Sequence, residues 1–224
     1  MKFATRILVA VAVCLNWTAI APAQDYEVEV ASEAPPTDEL SGEIGETLSG
    51  EVIRVLRKGR PYCDIWLRKD VPVAADFTPS LTVLYPLSQG DLLGVARYHR
   101  RGGDFRAQEI EKGVYTMRYA LQPEDGNHIG TSATRDFLLL LNAEEDETLD
   151  PLEQDPLFEL SAEAAQTSHP CMLSLLRTAD DADAEPTIEH DEERDLWSVR
   201  LPVMTSGADA PMVMTLVVVG HAEE

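Results

Sequence analysis

The sequence predicts a mainly β fold: an antiparallel β-sandwich, Ig-like or jelly-roll-like, with about one short helix. Two observations lead to this prediction. From residue 51 onward, short runs rich in β-branched and aromatic residues are separated by turns rich in glycine, proline and aspartate. In contrast, a single segment shows the 3.6-residue apolar period of a surface helix.

Ten runs have the composition of strands, and several alternate apolar with polar residues. In the run 114–121 the odd-numbered residues are predicted to face the core and Arg118 to point the other way. The run 137–141 is apolar throughout, so we expect it to be covered on both faces. The predicted strands are residues 52–56, 63–67, 81–85, 92–100, 105–110, 114–121, 137–141, 172–176, 197–203 and 212–219.

The predicted helix follows the strand at 137–141. Asp155 is a suitable N-cap, and Pro156 suits the first helical position. Apolar residues then recur at helical spacing over 157–164. The helix is expected to end before Pro170, because the residue preceding a proline avoids helical backbone.

The beginning of the chain has the three-part layout of a secretory signal peptide. Lys2 and Arg6 precede the apolar run 7–15, and the small residues 21–23 offer a cleavage site. The apolar run is too short to span a membrane. We therefore expect a secreted or periplasmic protein with three parts: a signal peptide at 1–23, an acidic flexible leader at 24–50 and a single β-sandwich domain at 51–224.

The charge of the chain is strongly negative: 18 Lys and Arg face 40 Asp and Glu, for a formal net charge of -22. Phosphates would be repelled, which argues against nucleic acid and anionic membranes as partners. No run after the signal is long and apolar enough to be a transmembrane segment of the mature chain. The expected partner is a protein or glycan in the cell envelope or exterior.

Two cysteines, Cys63 and Cys171, remain once the predicted signal peptide and its Cys14 are removed. In an exported protein, two cysteines favour one disulfide, which would close a long loop. Two buried free thiols are the alternative.

Residues 125–128, Asp-Gly-Asn-His, form the best local pattern for a metal site. They combine oxygen ligands with an imidazole in a connection between strands, and His169 would add a second imidazole. Asp125, His128 and His169 are therefore the candidate ligands of a divalent cation. The alternative is an ordinary turn of residues that tolerate left-handed backbone.

Arg97, His99 and Arg118 belong to a basic island in this acidic chain. Arg97 and His99 share one face of a predicted strand, and Arg118 is placed on a neighbouring strand. This pattern suits a site for a carboxylate or an acidic glycan. The alternative is pairing with the chain's own acidic residues.

Four segments carry a resemblance to a family: residues 113–119, 125–128, 135–139 and 167–170. Together they resemble a group of secreted bacterial proteins that are common in planctomycetes and have no known activity. The resemblance extends over most of the chain after residue 50. It implies a secreted β-sandwich and assigns no role to any residue.

The chain has no nucleophile elbow, HExxH metal motif, haem-attachment motif, phosphate-binding loop or dinucleotide fingerprint. The favoured hypothesis is a secreted or periplasmic, non-catalytic module that binds a protein, a glycan or a small ligand. One alternative is a metal-dependent hydrolase that uses Asp125, His128 and His169. Another is a structural envelope-assembly protein tethered by its acidic leader.

Overall fold

The computed structural model describes residues 25–124, 132, 134–179 and 182–222. Within them, ten strands form one antiparallel sheet and two short strands form a separate hairpin, so the fold is mainly β, as predicted. The strands are β1 (Tyr26–Ser32), β2 (Glu51–Arg57), β3 (Arg60–Leu67), β4 (Leu92–Tyr98), β5 (Gly102–Gly103), β6 (Glu109–Ile110), β7 (Gly113–Leu121), β8 (Asp136–Asn142), β9 (Met172–Leu176), β10 (Ile188–Asp191), β11 (Leu196–Val203) and β12 (Met212–Val219).

The sheet is a row in the order β1-β2-β3-β4-β7-β8-β9-β12-β11-β10, and β5 pairs with β6 outside it. The chain first runs along the row from β1 to β9. It then crosses to the far end and returns through β10, β11 and β12, so that the last strand lies beside β9. Short turns join β2 to β3 and β10 to β11, whereas longer connections, two of which contain helices, join most of the other neighbours.

One face of this row lines the main apolar core, to which strands from both halves contribute. Tyr26 of β1 and Trp197 of β11 belong to opposite ends of the row, yet their ring centroids lie 5.1 Å apart. The sheet is therefore rolled around its core. The two layers of the predicted sandwich are opposite walls of one hydrogen-bonded sheet.

Two α-helices cover parts of the outer face: α1 (Gly42–Thr47) and α2 (Gln154–Ala165). Ile44 of α1 packs with Trp66 of β3 in one outer cluster. Leu157 of α2 packs with Leu139 and Leu141 of β8 in another. The middle of β8 is thus buried on both faces, as its apolar run predicted.

The segment predicted to be a flexible leader is part of the fold, so that prediction is wrong. All seven residues of β1 pair in register with β2, from Tyr26 opposite Arg57 to Ser32 opposite Glu51. Ile44 is fully buried beneath the same end of the sheet. The segment has few apolar residues, but the sheet supplies a hydrogen-bonding partner and an apolar surface that local composition does not reveal.

Three further boundaries differ from the predictions. Residues 81–85 form no strand: Leu81 is 88% exposed, while the Leu84 and Tyr85 amides donate to the buried carboxylate of Asp136. The run 105–110 contributes only the two residues of β6. Helix α2 begins at Gln154, with Glu153 in the N-cap position instead of Asp155.

No helix among the described residues is both long enough and apolar enough to cross a membrane. The predicted signal peptide at 1–23 and residue 24 lie outside the described residues. Secretion therefore stays a prediction of the sequence.

Candidate ligand pocket

A cavity of about 470 Å³ lies on the outer face of the sheet, between α2 and the turn that joins β5 to β6. We call it the helix pocket. Its volume falls in the range of small-molecule sites, and most of its surface is apolar. The apolar side chains come from β7, β8, β9 and α2: Ala120, Phe137, Leu139, Phe158, Ala162 and Met172.

The polar part of the helix pocket includes two side chains that bear or can bear positive charge, Arg106 and His169. Both residues are exposed to solvent. Within the described part of the chain, neither side chain has a hydrogen-bond or ion-pair partner. Glu159 also lines the pocket but forms no ion pair with Arg106. An uncompensated guanidinium beside an apolar surface is complementary to an anion with an apolar body.

The turn that carries Arg106 is held by a buried carboxylate. Asp104 is 1% exposed and accepts hydrogen bonds from the main-chain N–H groups of Arg106 and Gln108, each at 2.8 Å. It also accepts one from the main-chain N–H of Met172, at 3.1 Å. Asp104 therefore fixes the turn against the start of β9, which places Arg106 at the pocket.

The segment that carries His169 is tied to the same turn. Gln166 ends α2 in a left-handed conformation, and the next residue, Thr167, donates from its hydroxyl to the Gln108 side-chain oxygen at 2.6 Å. The Gln108 amide nitrogen in turn donates to the carbonyl of Pro170 at 3.0 Å. One hydrogen-bonded network thus holds Arg106 and His169 at a common rim.

A second cavity, of about 560 Å³, lies against β10 and β11 and also contains arginines. There, Arg194 pairs with Asp191 at 2.6 Å and Arg200 pairs with Glu189. Arg194 and Arg200 are thus neutralised within the chain, and the third arginine of this cavity, Arg177, donates to the main-chain carbonyl of Ser80 at 2.9 Å. The helix pocket is consequently the better candidate for an anionic ligand.

Of the predicted metal ligands, His169 lies at the helix pocket, whereas Asp125 and His128 lie outside the described residues. In the described ranges, no three His, Cys, Asp or Glu side chains are grouped in a way that could hold a metal ion. The metal site composed of Asp125, His128 and His169 stays a prediction.

Of the predicted anion-binding residues, Arg97 lies on the outer face of β4 and His99 directly follows that strand; both pair with acids of the chain. The Arg97 guanidinium lies 3.6 Å from a carboxylate oxygen of Glu39 and over the ring of Trp66. His99 Nε2 lies 2.8 Å from Asp64 Oδ2.

Arg118, the third of these residues, is fully buried beneath the loop that follows β8. Its guanidinium makes two 2.7 Å hydrogen bonds with Asp146. No ligand can reach it in this structure, so the prediction for Arg118 is wrong. The spacing placed it correctly on the outer face, but the loop that buries it comes from a segment about thirty residues later in the chain.

Cys63 and Cys171 are buried free thiols, so the predicted disulfide is not formed. Cys63 lies in β3 and Cys171 just before β9, and these strands are separated by three others in the row. Burial raises the pKa of both thiols far above the ordinary value, which keeps them protonated and unreactive.

No protein-family model, curated protein or solved structure matches this chain. The resemblance to secreted planctomycete proteins therefore stays a prediction.

Arg106, the residue that best distinguishes the helix pocket, belongs to the same basic island of the sequence as Arg97, His99 and Arg118. Nothing in the sequence separates it from the arginines that pair internally.

Proposed function

We propose that this protein is a secreted or periplasmic, non-catalytic binding module, and that its ligand is a small amphipathic anion held in the helix pocket. The observation that carries the proposal is the unpaired guanidinium of Arg106 beside an apolar cavity. Other arginines of this acidic chain, such as Arg118 and Arg200, pair with carboxylates, whereas the Arg106 side chain is unpaired within the described residues and stands beside an apolar cavity.

The chemistry of the cavity favours a carboxylate with an apolar chain or ring. Ala120, Phe137 and Leu139 offer an apolar surface that would remove the body of the ligand from water. The Arg106 guanidinium would donate charge-assisted hydrogen bonds to the carboxylate. His169, at the same rim, would add a further donor.

The test uses the fluorescent probe 1-anilinonaphthalene-8-sulfonate, which joins an aromatic body to one anionic group. We expect saturable binding with one site, and displacement of the probe by decanoate but much less by decanol. Arg106→Gln should weaken binding about tenfold to a hundredfold, since hydrogen bonds to a charged group contribute about 1.5–3 kcal/mol. Ala162→Phe should block binding by filling the cavity.

Arg60→Gln is the matched control, because it makes the same change in net charge at an exposed position outside the pocket. Each variant is checked for cooperative thermal unfolding, so that binding to a loosened core is not mistaken for binding to the pocket. Equal affinity in the wild type, Arg106→Gln and Ala162→Phe would refute the proposal.

A further inference from the structure

The first strand of the row, β1, has an open edge. It pairs with β2 alone and stands at the end of the sheet. Because the sheet is rolled, part of β1 lies near the opposite end strand, β10. The Lys58 amide donates to the Asp25 carbonyl at 3.0 Å, and the Glu33 amide donates to the Gly50 carbonyl at 3.1 Å. Odd-numbered residues therefore bond toward β2, and the main-chain groups of Val28, Val30 and Ser32 are directed to the open side.

Beside this edge lies a cleft of about 310 Å³, where the rolled sheet does not close. Contact between Tyr26 and Trp197 closes the seam at one end, and an isolated bridge between Val71 and Thr205 closes it at the other. Val30 is 49% exposed there. The apolar side chains of the cleft are Val30, Ile53 and Leu67 from β1–β3, with Pro186, Pro202 and Met204 from the opposite end of the row.

The charge along the edge is negative. Glu27 and Glu29 are exposed and alternate with the residues that face the cleft, and Glu51 lies at the cleft itself. Glu29 also lies 3.7 Å from the guanidinium of Arg54, whereas Glu27 has no ion-pair partner within the described residues. Two cations also line the cleft, but Arg68 donates to the carbonyl of Leu92 and Lys69 to that of Glu46. The edge thus offers unpaired main-chain groups, an apolar surface on one side and carboxylates on the other.

We propose that the open edge of β1 binds an extended segment of a partner protein in which apolar residues alternate with basic ones. The segment would add as a strand, with its main chain paired to β1, its apolar side chains in the cleft and its basic side chains beside Glu27 and Glu29. A second copy of this chain fits less well, because two β1 edges would bring their glutamates close to one another.

The probe is a capped, fluorescently labelled peptide of about eight residues that alternates valine with lysine, long enough for an ordinary strand. Two control peptides have the same length: one groups the valines and lysines in separate blocks, and one replaces lysine by glutamate. We expect the alternating valine–lysine peptide to bind at least tenfold more tightly than either control. Amide exchange should slow at Val28, Val30 and Ser32 when it binds.

Val30→Pro removes one outward N–H without removing a hydrogen bond to β2, which is where a sheet tolerates proline. It should weaken peptide binding at least tenfold, whereas Val30→Ala, which keeps the N–H, should change it less than threefold. Neither Val30 variant should alter probe binding in the helix pocket, and Arg106→Gln should not alter peptide binding. The proposal is thus separable from the proposed function.

If Val30→Pro fails to fold, the double variant Glu27→Lys/Glu29→Lys tests whether the edge of β1 binds the peptide. It should invert the preference, so that the valine–glutamate peptide binds more tightly than the valine–lysine peptide. Unchanged peptide preference in that variant, or equal binding of all three peptides to the wild type, would overturn the proposal. So would a wild-type dimer that Val30→Pro converts to a monomer, because the occupant would then be a second copy.

Discussion

The substitution Arg118→Met offers the sharpest test of the packing. The guanidinium is fully buried and makes two 2.7 Å hydrogen bonds with Asp146. It also donates to main-chain carbonyls of Gly90, Thr148 and Asp150. The loop after β8 is therefore fastened to the outer face of the sheet largely through one side chain.

Replacing Arg118 with methionine keeps much of the volume but leaves the Asp146 carboxylate, which is 1% exposed, without its cation. Breaking a buried ion pair from one side typically costs about 3–5 kcal/mol. In a chain of this size, 1 kcal/mol lowers the thermal midpoint by about 2–4 °C. We therefore expect Arg118→Met to lower the midpoint by about 6–20 °C.

The assay is urea unfolding at neutral pH with Arg118→Met, Asp146→Leu and the double variant. The double variant should lose less stability than the sum of the single losses, because no unpaired charge is left buried. Arg101→Met, which removes exposed ion pairs with Glu109 and Glu111, should leave the urea midpoint nearly unchanged. A loss below about 1 kcal/mol for Arg118→Met, or strict additivity with Asp146→Leu, would show that this ion pair does not hold the loop in place.

Three other predictions concern the rest of the fold. Burial raises the pKa of Asp64, but hydrogen bonds from Arg54 and His99 lower it by a larger amount, so the net shift is downward. Asp64→Asn should therefore cost about 1–2 kcal/mol at pH 7, and the difference from the wild type, followed by urea unfolding, should shrink as the pH falls below 3.8. Cys63 and Cys171 should react with a thiol reagent only after denaturation and without prior reduction; labelling that requires a reductant would show a disulfide. Gly90→Ala should lower the free energy of unfolding by about 1–3 kcal/mol, since φ is +86° and a Cβ would lie 2.1 Å from the Leu152 carbonyl oxygen. Gly42→Ala is the control: there is open space around Gly42, so the thermal midpoint should stay unchanged or rise.

The strands nearest the middle of the sheet were the easiest to predict. The runs 172–176 and 212–219 match β9 and β12 residue for residue, and the run 137–141 lies within β8. These segments are almost wholly apolar and can only be buried, so the local pattern is sufficient. The sequence pattern of the edge strand β1 predicted a strand only weakly, because half of its residues face solvent and two of these are glutamates.

The candidate site depended on contacts that no local pattern contains. Arg106 and Arg118 belong to the same basic part of the sequence, but Asp146 neutralises Arg118, while the Arg106 side chain has no partner within the described ranges. His169 was selected as a metal ligand, and its place at the helix pocket follows from the bonds that Gln108 makes to Thr167 and Pro170. Which cations stay free is decided by loops that return from distant parts of the chain.

The amino-acid sequence alone was sufficient to predict a mainly β, antiparallel and acidic protein with a helix near residue 160. These properties follow from residue type and short-range periodicity, which act within a few residues. The tertiary structure decided that the acidic leader completes the sheet, that Cys63 and Cys171 stay apart, and that Arg118 is buried while Arg106 is exposed. Each of these outcomes depends on which distant segments meet when the sheet rolls around its core.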